Sequence, residues 1–389
     1  MKVCFETFGC RLNKAEALQM EADYLARGWQ LTKKHADADL FVIRGCSVTA
    51  RAQSDCEKLI AHLKHKYPLA QLRICGCLNN ISARSPKPLK PLTPLKPLEP
   101  LPVRTARAYL KVQDGCAGKC TFCIVPKFRG ASRSEDFTSL LDKAKRFIDA
   151  GYHEIVVTGC NLSLYASQGK RLPDLVTALA ELDTGCRIRL GSVEPGACAV
   201  ETVHAMAEHA NVCRFLHLTV QSGSERILQT MRRPYSVRDI DRSASTAARL
   251  LPKLGLGCDL MTGFPGESEL DHTATCGLLK RLPFNNAHVF PFSERPGTPA
   301  AAFLDVVPKH LRSARAHKLS KLIQSKRESF AKSFLGQTVE TVVEDEKSGQ
   351  GWTGEYLTCK PTSGTYKRKS AIRMLITRIE GEILYGRPQ

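Results

Sequence analysis

The segment GCAGKCTFC, residues 115–123, carries thiols at Cys116, Cys120 and Cys123. Structural zinc sites pair their thiolates as C-x2-C and draw a second pair from elsewhere. The C-x3-C-x2-C spacing here fits neither that pattern nor a C-x-x-C redox pair. Thiolates are also the usual ligands of iron–sulfur clusters. Three of them hold three irons of a [4Fe–4S] cube and leave the fourth iron open to chelate a small molecule. A second set of three thiols is spread over the first eighty residues: Cys10 in TFGCRLN, Cys46 in RGCSVT and Cys77 in CGCL. Each follows a strand-like segment. In a parallel sheet the C-terminal strand ends lie on one edge, where open α/β folds bind their ligands, so these three converge into a second tri-thiolate site. Cys75 has the same parity as Cys77 on its strand; Cys77 is preferred because it lies beyond the strand end. Cys4 and Cys56 fall inside elements and read as packing residues, as do Cys186, Cys198, Cys213, Cys276 and Cys359.

The elements that must position these thiols are legible from periodicity. Strand-like segments cover 2–7, 40–44 and 71–75, and helical apolar spacing runs through NKAEALQMEADYLARGW and TARAQSDCEKLIAHLKHKYP, with Asn13 and Thr49 as N-caps. Strand–helix–strand–helix–strand predicts a parallel sheet with right-handed crossovers. Seven prolines then fall between Pro86 and Pro102. Proline fixes φ and lacks an N–H donor, so this stretch reads as a semi-rigid polyproline-type linker rather than an SH3-type ligand. Six further strand segments follow (AYLKVQD, EIVVTG, RIRLGS, FLHLTV, LGCDLMTG and AHVFPF), separated by helical stretches such as FTSLLDKAKRFIDAG. Six consecutive βα units predict an open, partial barrel with its ligands at the C-terminal strand ends. Residues 308–334 predict a long basic helix, which reads as a solvated face or, from its one-sided charge, as a nucleic-acid contact or inter-domain strut. Short strands from 335 onward predict a small β-barrel. The fold class is therefore α/β throughout, ending in a β-barrel, and the predicted domains are 1–82, a linker 83–104, 105–334 and 335–389.

Composition narrows the class of partner. Lys and Arg number 57 against 38 Asp and Glu, a formal charge of +19, which favours a polyanion such as nucleic acid. No apolar run is long enough to span a membrane and MKVCFETFGC does not read as a signal peptide. Sixteen cysteines in a chain without an export signal are ligands or packing residues rather than disulfides, which predicts a cytoplasmic location.

The C-x3-C-x2-C loop after a barrel strand resembles the radical S-adenosylmethionine (SAM) superfamily, in which the open iron chelates SAM. Strand-end motifs add to the resemblance. VVTGCN carries Gly159 and Asn161, and EP carries Glu194. TVQSGSE carries Gln221 and Ser222, TGFPGE carries Gly263 and Gly266, and FSERPGTPA ends the sixth strand. The resemblance implies that these residues contact SAM. Two tri-thiolate sets, a partial barrel and a terminal β-barrel together resemble the methylthiotransferases, whose TRAM domain binds RNA. Lys367, Arg368 and Lys369, on a turn of the terminal barrel, are the matching RNA-binding candidates. TFGCRLNKAEA, DGCAGKCTFCIVPKFRG, QSGSERILQTMRRPYS and HVFPFSERPGTPA look most like the MtaB branch, which modifies N6-threonylcarbamoyladenosine in the tRNA anticodon stem-loop.

That resemblance implies two [4Fe–4S] clusters, on Cys116, Cys120 and Cys123 and on Cys10, Cys46 and Cys77, together with SAM, a flavodoxin- or ferredoxin-like electron donor and a sulfur donor of unknown identity. Cleavage of SAM at the first cluster would start C–H functionalisation at adenine C2, and sulfur held at the second would be methylated by a separate SAM. Sister branches act on isopentenyladenosine in tRNA or on a ribosomal-protein aspartate. A non-catalytic, metal-stabilised tRNA-binding protein is the alternative of a different class. Two departures from the family pattern stand out. The proline ladder replaces the continuation of the first domain, and Arg44 and Gly45 stand where the family has an Asn-Thr pair before the cysteine, which alters hydrogen bonding near Cys46.

Overall fold

The computed structural model describes residues 1–47, 50–78 and 105–389. The proline ladder and Thr49 lie outside these residues.

The N-terminal unit is a four-stranded, all-parallel sheet in the order Gln30–Leu31, Lys2–Thr7, Leu40–Gly45, Gln71–Gly76. Alternation along the strands splits the apolar residues between two faces. Val3, Leu40 and Val42 pack with Tyr24 of helix Arg11–Ala26, while Cys4, Phe41 and Ile43 pack with Leu63 of helix Ala50–Lys66. Three strands match the sequence reading. The two-residue strand Gln30–Leu31 was not foreseen, being too short to show a period. The predicted N-cap at Asn13 is also corrected. Cys10 occupies the cap position of the first helix without a side-chain capping bond, and Asn13 lies inside the helix, fully buried.

The central unit contains all six expected parallel strands: Ala108–Lys111, Glu154–Thr158, Arg187–Leu190, Phe215–Gln221, Gly255–Thr262 and Asn286–Pro291. The first three pair in the order third–second–first, and the last three pair consecutively. The third strand joins the two halves. Past Gly191 it continues as Ser192–Val193, which pairs in parallel with His217 and Leu218. Outward-facing residues such as Leu110, Val157, Ile188, Leu218 and Leu260 form one continuous core with the surrounding helices. Helix Arg11–Ala26 lies against the inner face of the first two strands, where Ala15 and Leu18 meet Tyr109 and Val156.

The basic helix Lys309–Lys332 is chiefly a strut. Arg312 donates to the Phe292 carbonyl, Arg315 pairs with Glu267, and Lys326 donates to the carbonyls of Leu279 and Leu282. Its C-terminal end, through Ala331, enters the core of the last unit. That unit is a closed five-stranded barrel, Thr338–Val343, Gly351–Thr353, Thr358–Pro361, Ile383–Pro388 and Ala371–Glu380. It docks on the N-terminal ends of the central strands. There Glu154, fully buried, accepts from Arg189 at 2.7 and 3.1 Å and pairs with Arg187 and Arg107. Arg187 and Arg189 pass further N–H groups to the carbonyls of Trp352, Thr353 and Gly354. Three cations hold the Glu154 carboxyl well below the usual carboxylate range against the opposing effect of its burial.

Candidate functional site

The first cysteine set sits in an irregular loop between the first central strand and the short helix Val125–Arg129. The loop is closed at its base: Cys116 N–H donates to the Gly130 carbonyl at 3.0 Å, and a Cβ on Gly115 (φ +67°) would overlap the Ala131 backbone. Gly118 lies between two of the thiols. Its N–H donates to Cys116 Sγ at 3.3 Å, and a Cβ there would stand 3.2 Å from Cys116 Sγ and 3.8 Å from Cys120 Sγ. Burial pushes the Cys123 thiol up to about 11, and the charges of Cys120 and Cys116 act in the same sense. Burial also raises Cys120, opposed by Arg233. Arg233 was not foreseen. Its guanidinium donates to Cys120 Sγ (3.0 Å), Glu194 (2.8 Å), the Thr219 hydroxyl (3.2 Å) and Tyr235 (2.7 Å), tying the loop to the third and fourth strand ends.

The second set converges through strand register. Arg44 is level with both Thr7 and Cys75, and Gly45 with Gly76, so Cys10, Cys46 and Cys77 all lie just past one sheet edge. Gly9 (φ +89°) abuts Cys46, and a Cβ there would come within 2.7 Å of its Sγ. Cys46 and Cys77 are buried and Cys10 is exposed. Cys75 belongs to the sheet core, with its sulfur 3.5 Å from the Ile43 carbonyl and 3.8 Å from Arg44. Arg44 itself is buried and paired with Glu16.

The two sets face each other across one polar network. Arg129, last residue of the short helix, donates from Nε to Cys77 Sγ (3.4 Å), from one terminal nitrogen to Glu16 (3.1 Å) and Asp114 (3.0 Å), and from the other to Asn13 Oδ1 (2.7 Å) and Glu16 (3.1 Å). Burial works to raise the Glu16 carboxyl, but the Arg129 hydrogen bond and the charges of Arg44, Arg129 and Lys111 hold it below its ordinary value. Cys160, which the sequence reading passed over, also sits here, 3.7 Å from Asp114, with burial pushing its thiol up to about 12.

The strand-end candidates divide. Glu194 faces Arg233 and thereby Cys120. Gln221 ends its strand at φ +65°, and its buried Oε1 has no hydrogen-bond partner among the described residues. Gly159 packs on Gln113, with a Cβ there 3.0 Å from the Gln113 carboxamide oxygen. Asn161 caps the turn Leu162–Leu164 by accepting from Ser163 N–H at 3.1 Å. Ser222 is fully buried, its hydroxyl accepting from Ser224 N–H within the turn. Gly263 donates to Glu267 and Gly266 to the Asp305 carbonyl, so neither amide is left for a ligand. The basic turn is also divided. Lys369 donates to the Ala150 carbonyl at 2.8 Å and lies over the Tyr152 ring, anchoring the barrel to the central unit. Lys367 is exposed, and Arg368 lines a cleft of about 660 Å³ together with Cys10, Arg11, Lys14, Lys33 and Thr105.

A partial parallel barrel whose first strand leads into C-x3-C-x2-C defines a radical SAM protein, and the sequence profile of the Radical SAM superfamily matches residues 110–279. The profile of the uncharacterized protein family UPF0004 matches residues 2–92. The chain is 30% identical over 383 residues to the threonylcarbamoyladenosine tRNA methylthiotransferase MtaB of Aquifex aeolicus, covering 89% of this chain and 93% of that protein. It is 28% identical to the tRNA-2-methylthio-N(6)-dimethylallyladenosine synthase of Methylacidiphilum infernorum, covering 99% of this chain and 94% of that one. Among solved structures, it is similar to the cobalamin-dependent radical SAM enzyme OxsB at TM-score 0.47 and 11% identity, over 83% of this chain and 56% of that chain. The chain belongs to the radical SAM methylthiotransferase family.

Proposed function

We propose that this protein is a tRNA methylthiotransferase that places a methylthio group on C2 of N6-threonylcarbamoyladenosine beside the anticodon. The observation that carries the methylthiotransferase reading is the meeting of two three-cysteine sets at one domain junction, and the likeness to MtaB of Aquifex aeolicus supports the threonylcarbamoyl base. A non-catalytic RNA-binding protein has no use for both.

The residues suit the cofactors. Cys116, Cys120 and Cys123 would hold one [4Fe–4S] cluster, with Gly118 leaving room between two of the sulfurs, and Cys10, Cys46 and Cys77 would hold the other, with Gly9 giving clearance beside Cys46. Gln221 offers the orphaned acceptor on the barrel side where SAM would lie. When bound, the clusters and SAM supply the radical, sulfur and methyl chemistry. The protein groups position and insulate. Arg233 orients Cys120 and Glu194 together, and Arg129 holds the two loops in register. The cleft beside Cys10, with Arg11, Lys14 and Lys33 from the N-terminal unit and Arg368 from the barrel, suits a phosphate-bearing partner, and an unstacked anticodon-loop base reaches such a site at low cost.

Mass spectrometry of tRNA nucleosides from a deletion strain tests the proposal. The expected result is loss of 2-methylthio-N6-threonylcarbamoyladenosine and accumulation of its precursor. Persistence of the methylthio nucleoside would refute the substrate, and loss of a methylthio isopentenyladenosine instead would move the chain to the branch of its Methylacidiphilum relative.

A further inference from the structure

Arg129 has five N–H donors, and all five are occupied by residues that flank one cysteine set or the other. On one side, Asp114 lies two residues before Cys116 and also accepts from Gly115 N–H at 2.8 Å. On the other, Cys77 accepts directly. Asn13, which takes another donor, binds the Phe8 carbonyl (2.8 Å) just before Cys10 and the Gly45 carbonyl (3.1 Å) just before Cys46. The Arg129–Asn13 pair therefore touches Cys77 and the backbone beside Cys10 and Cys46. The backbone of Arg129 belongs to the Cys116 loop through the Cys116–Gly130 bond. Its side chain is 9% exposed, so solvent competes little for these contacts.

We infer that Arg129 is a positioning residue that couples the two cluster sites: it fixes their separation, and its N–H bond to Cys77 raises the reduction potential of the cluster held by Cys10, Cys46 and Cys77. The inference rests on the proposed two-cluster reading. The physical reason is that reduction adds negative charge to the sulfurs, and a charged N–H donor stabilises that state more than the oxidised one. Lysine cannot replace it. An ammonium is a point charge with three donors and cannot span four acceptors in a plane.

The test compares full-length wild type with Arg129→Lys and Arg129→Gln after anaerobic reconstitution. Arg129→Lys keeps a positive charge facing Glu16 and Asp114, which separates the loss of the donor fork from a general failure to fold. Three readouts are needed: iron per chain, EPR-monitored potentials of both clusters, and the ratio of methylthio product to 5′-deoxyadenosine. The expected result is a lowered potential for the Cys10/Cys46/Cys77 cluster alone, and a product ratio that falls on the order of tenfold while SAM cleavage continues. Unchanged potentials and an unchanged ratio in a wild type and variants that all carry both clusters would overturn the role of Arg129 and leave the proposed function standing. An equal shift of both potentials would overturn it too, by showing a general structural effect. A wild type that lacks the second cluster would remove the two-cluster reading itself.

Discussion

Replacing Glu154 by glutamine removes a fully buried anion beneath the C-terminal barrel and leaves Arg107 only Glu344 and Arg187 only the more exposed Glu340. The carboxylate is fully buried and faces Arg187, Arg189 and Arg107. Glutamine matches its shape but turns an N–H group toward cations that already carry only donors. Breaking a buried pair from one side costs about 3–5 kcal/mol because the charge left behind, here chiefly Arg189, stays buried without a carboxylate. At 1.36 kcal/mol per decade, that is roughly a hundred- to several-thousandfold in the local opening equilibrium. The same guanidinia donate to the carbonyls of Trp352, Thr353 and Gly354, so the barrel's seat weakens first. Amide hydrogen exchange in strand Ala371–Glu380 reads this directly, and protection there falls by the stated factor while protection in Phe215–Gln221 falls less. The sign with pH is fixed as well. A carboxyl whose folded pKa is depressed contributes its stability above its unfolded value, near about 4.3, and loses it as pH falls through the lower folded value. The penalty of Glu154→Gln is therefore flat between about pH 6 and 8 and shrinks in strong acid. A loss below about 1 kcal/mol, the size of one ordinary hydrogen bond, would refute the idea that this carboxylate seats the barrel.

Other outcomes follow from the same geometry. Gly9→Ala forces a left-handed residue and a Cβ against Cys46, so after reconstitution it loses the irons of the second set and keeps those of the first, as iron analysis with EPR would show. Lys367→Ala with Arg368→Ala weakens tRNA binding and reduces the slope of log affinity against log salt by about 2, whereas Lys369→Ala, which loses the contact to Ala150 and Tyr152, lowers stability and leaves that slope in place. In the metal-free protein, iodoacetamide modifies exposed Cys10 well before Cys160, whose thiol burial pushes up to about 12; peptide mass mapping over time distinguishes the two.

What could be read from the sequence was what depends on local pattern. The six central strands carry Val, Ile and Leu on their outer faces between helical stretches, so alternation and spacing marked them before any contact was known. Convergence of Cys10, Cys46 and Cys77 followed from topology, because the strands before them are parallel. Strands of two or three residues, Gln30–Leu31 and Gly351–Thr353, were missed since no period fits in them. Single polar residues with distant partners were also missed. Arg129 is one of 57 cationic residues, and its value comes from Asn13 and Cys77, which only folding brings to it. Arg233 is the same case across the loop from Cys120. A basic run gives charge but not direction, and only the fold brings Lys369 to the Ala150 carbonyl and the Tyr152 ring.

The central claim is that two sets of three cysteines hold two clusters in one chain. Iron and acid-labile sulfide, measured per chain after anaerobic reconstitution, test it most directly. The wild type should carry about eight irons, falling to about four when Cys10, Cys46 and Cys77 are all replaced by alanine and to about four when Cys116, Cys120 and Cys123 are replaced instead. A wild type with about four irons that the first triple replacement leaves unchanged, or one that takes up zinc alone, would contradict the account.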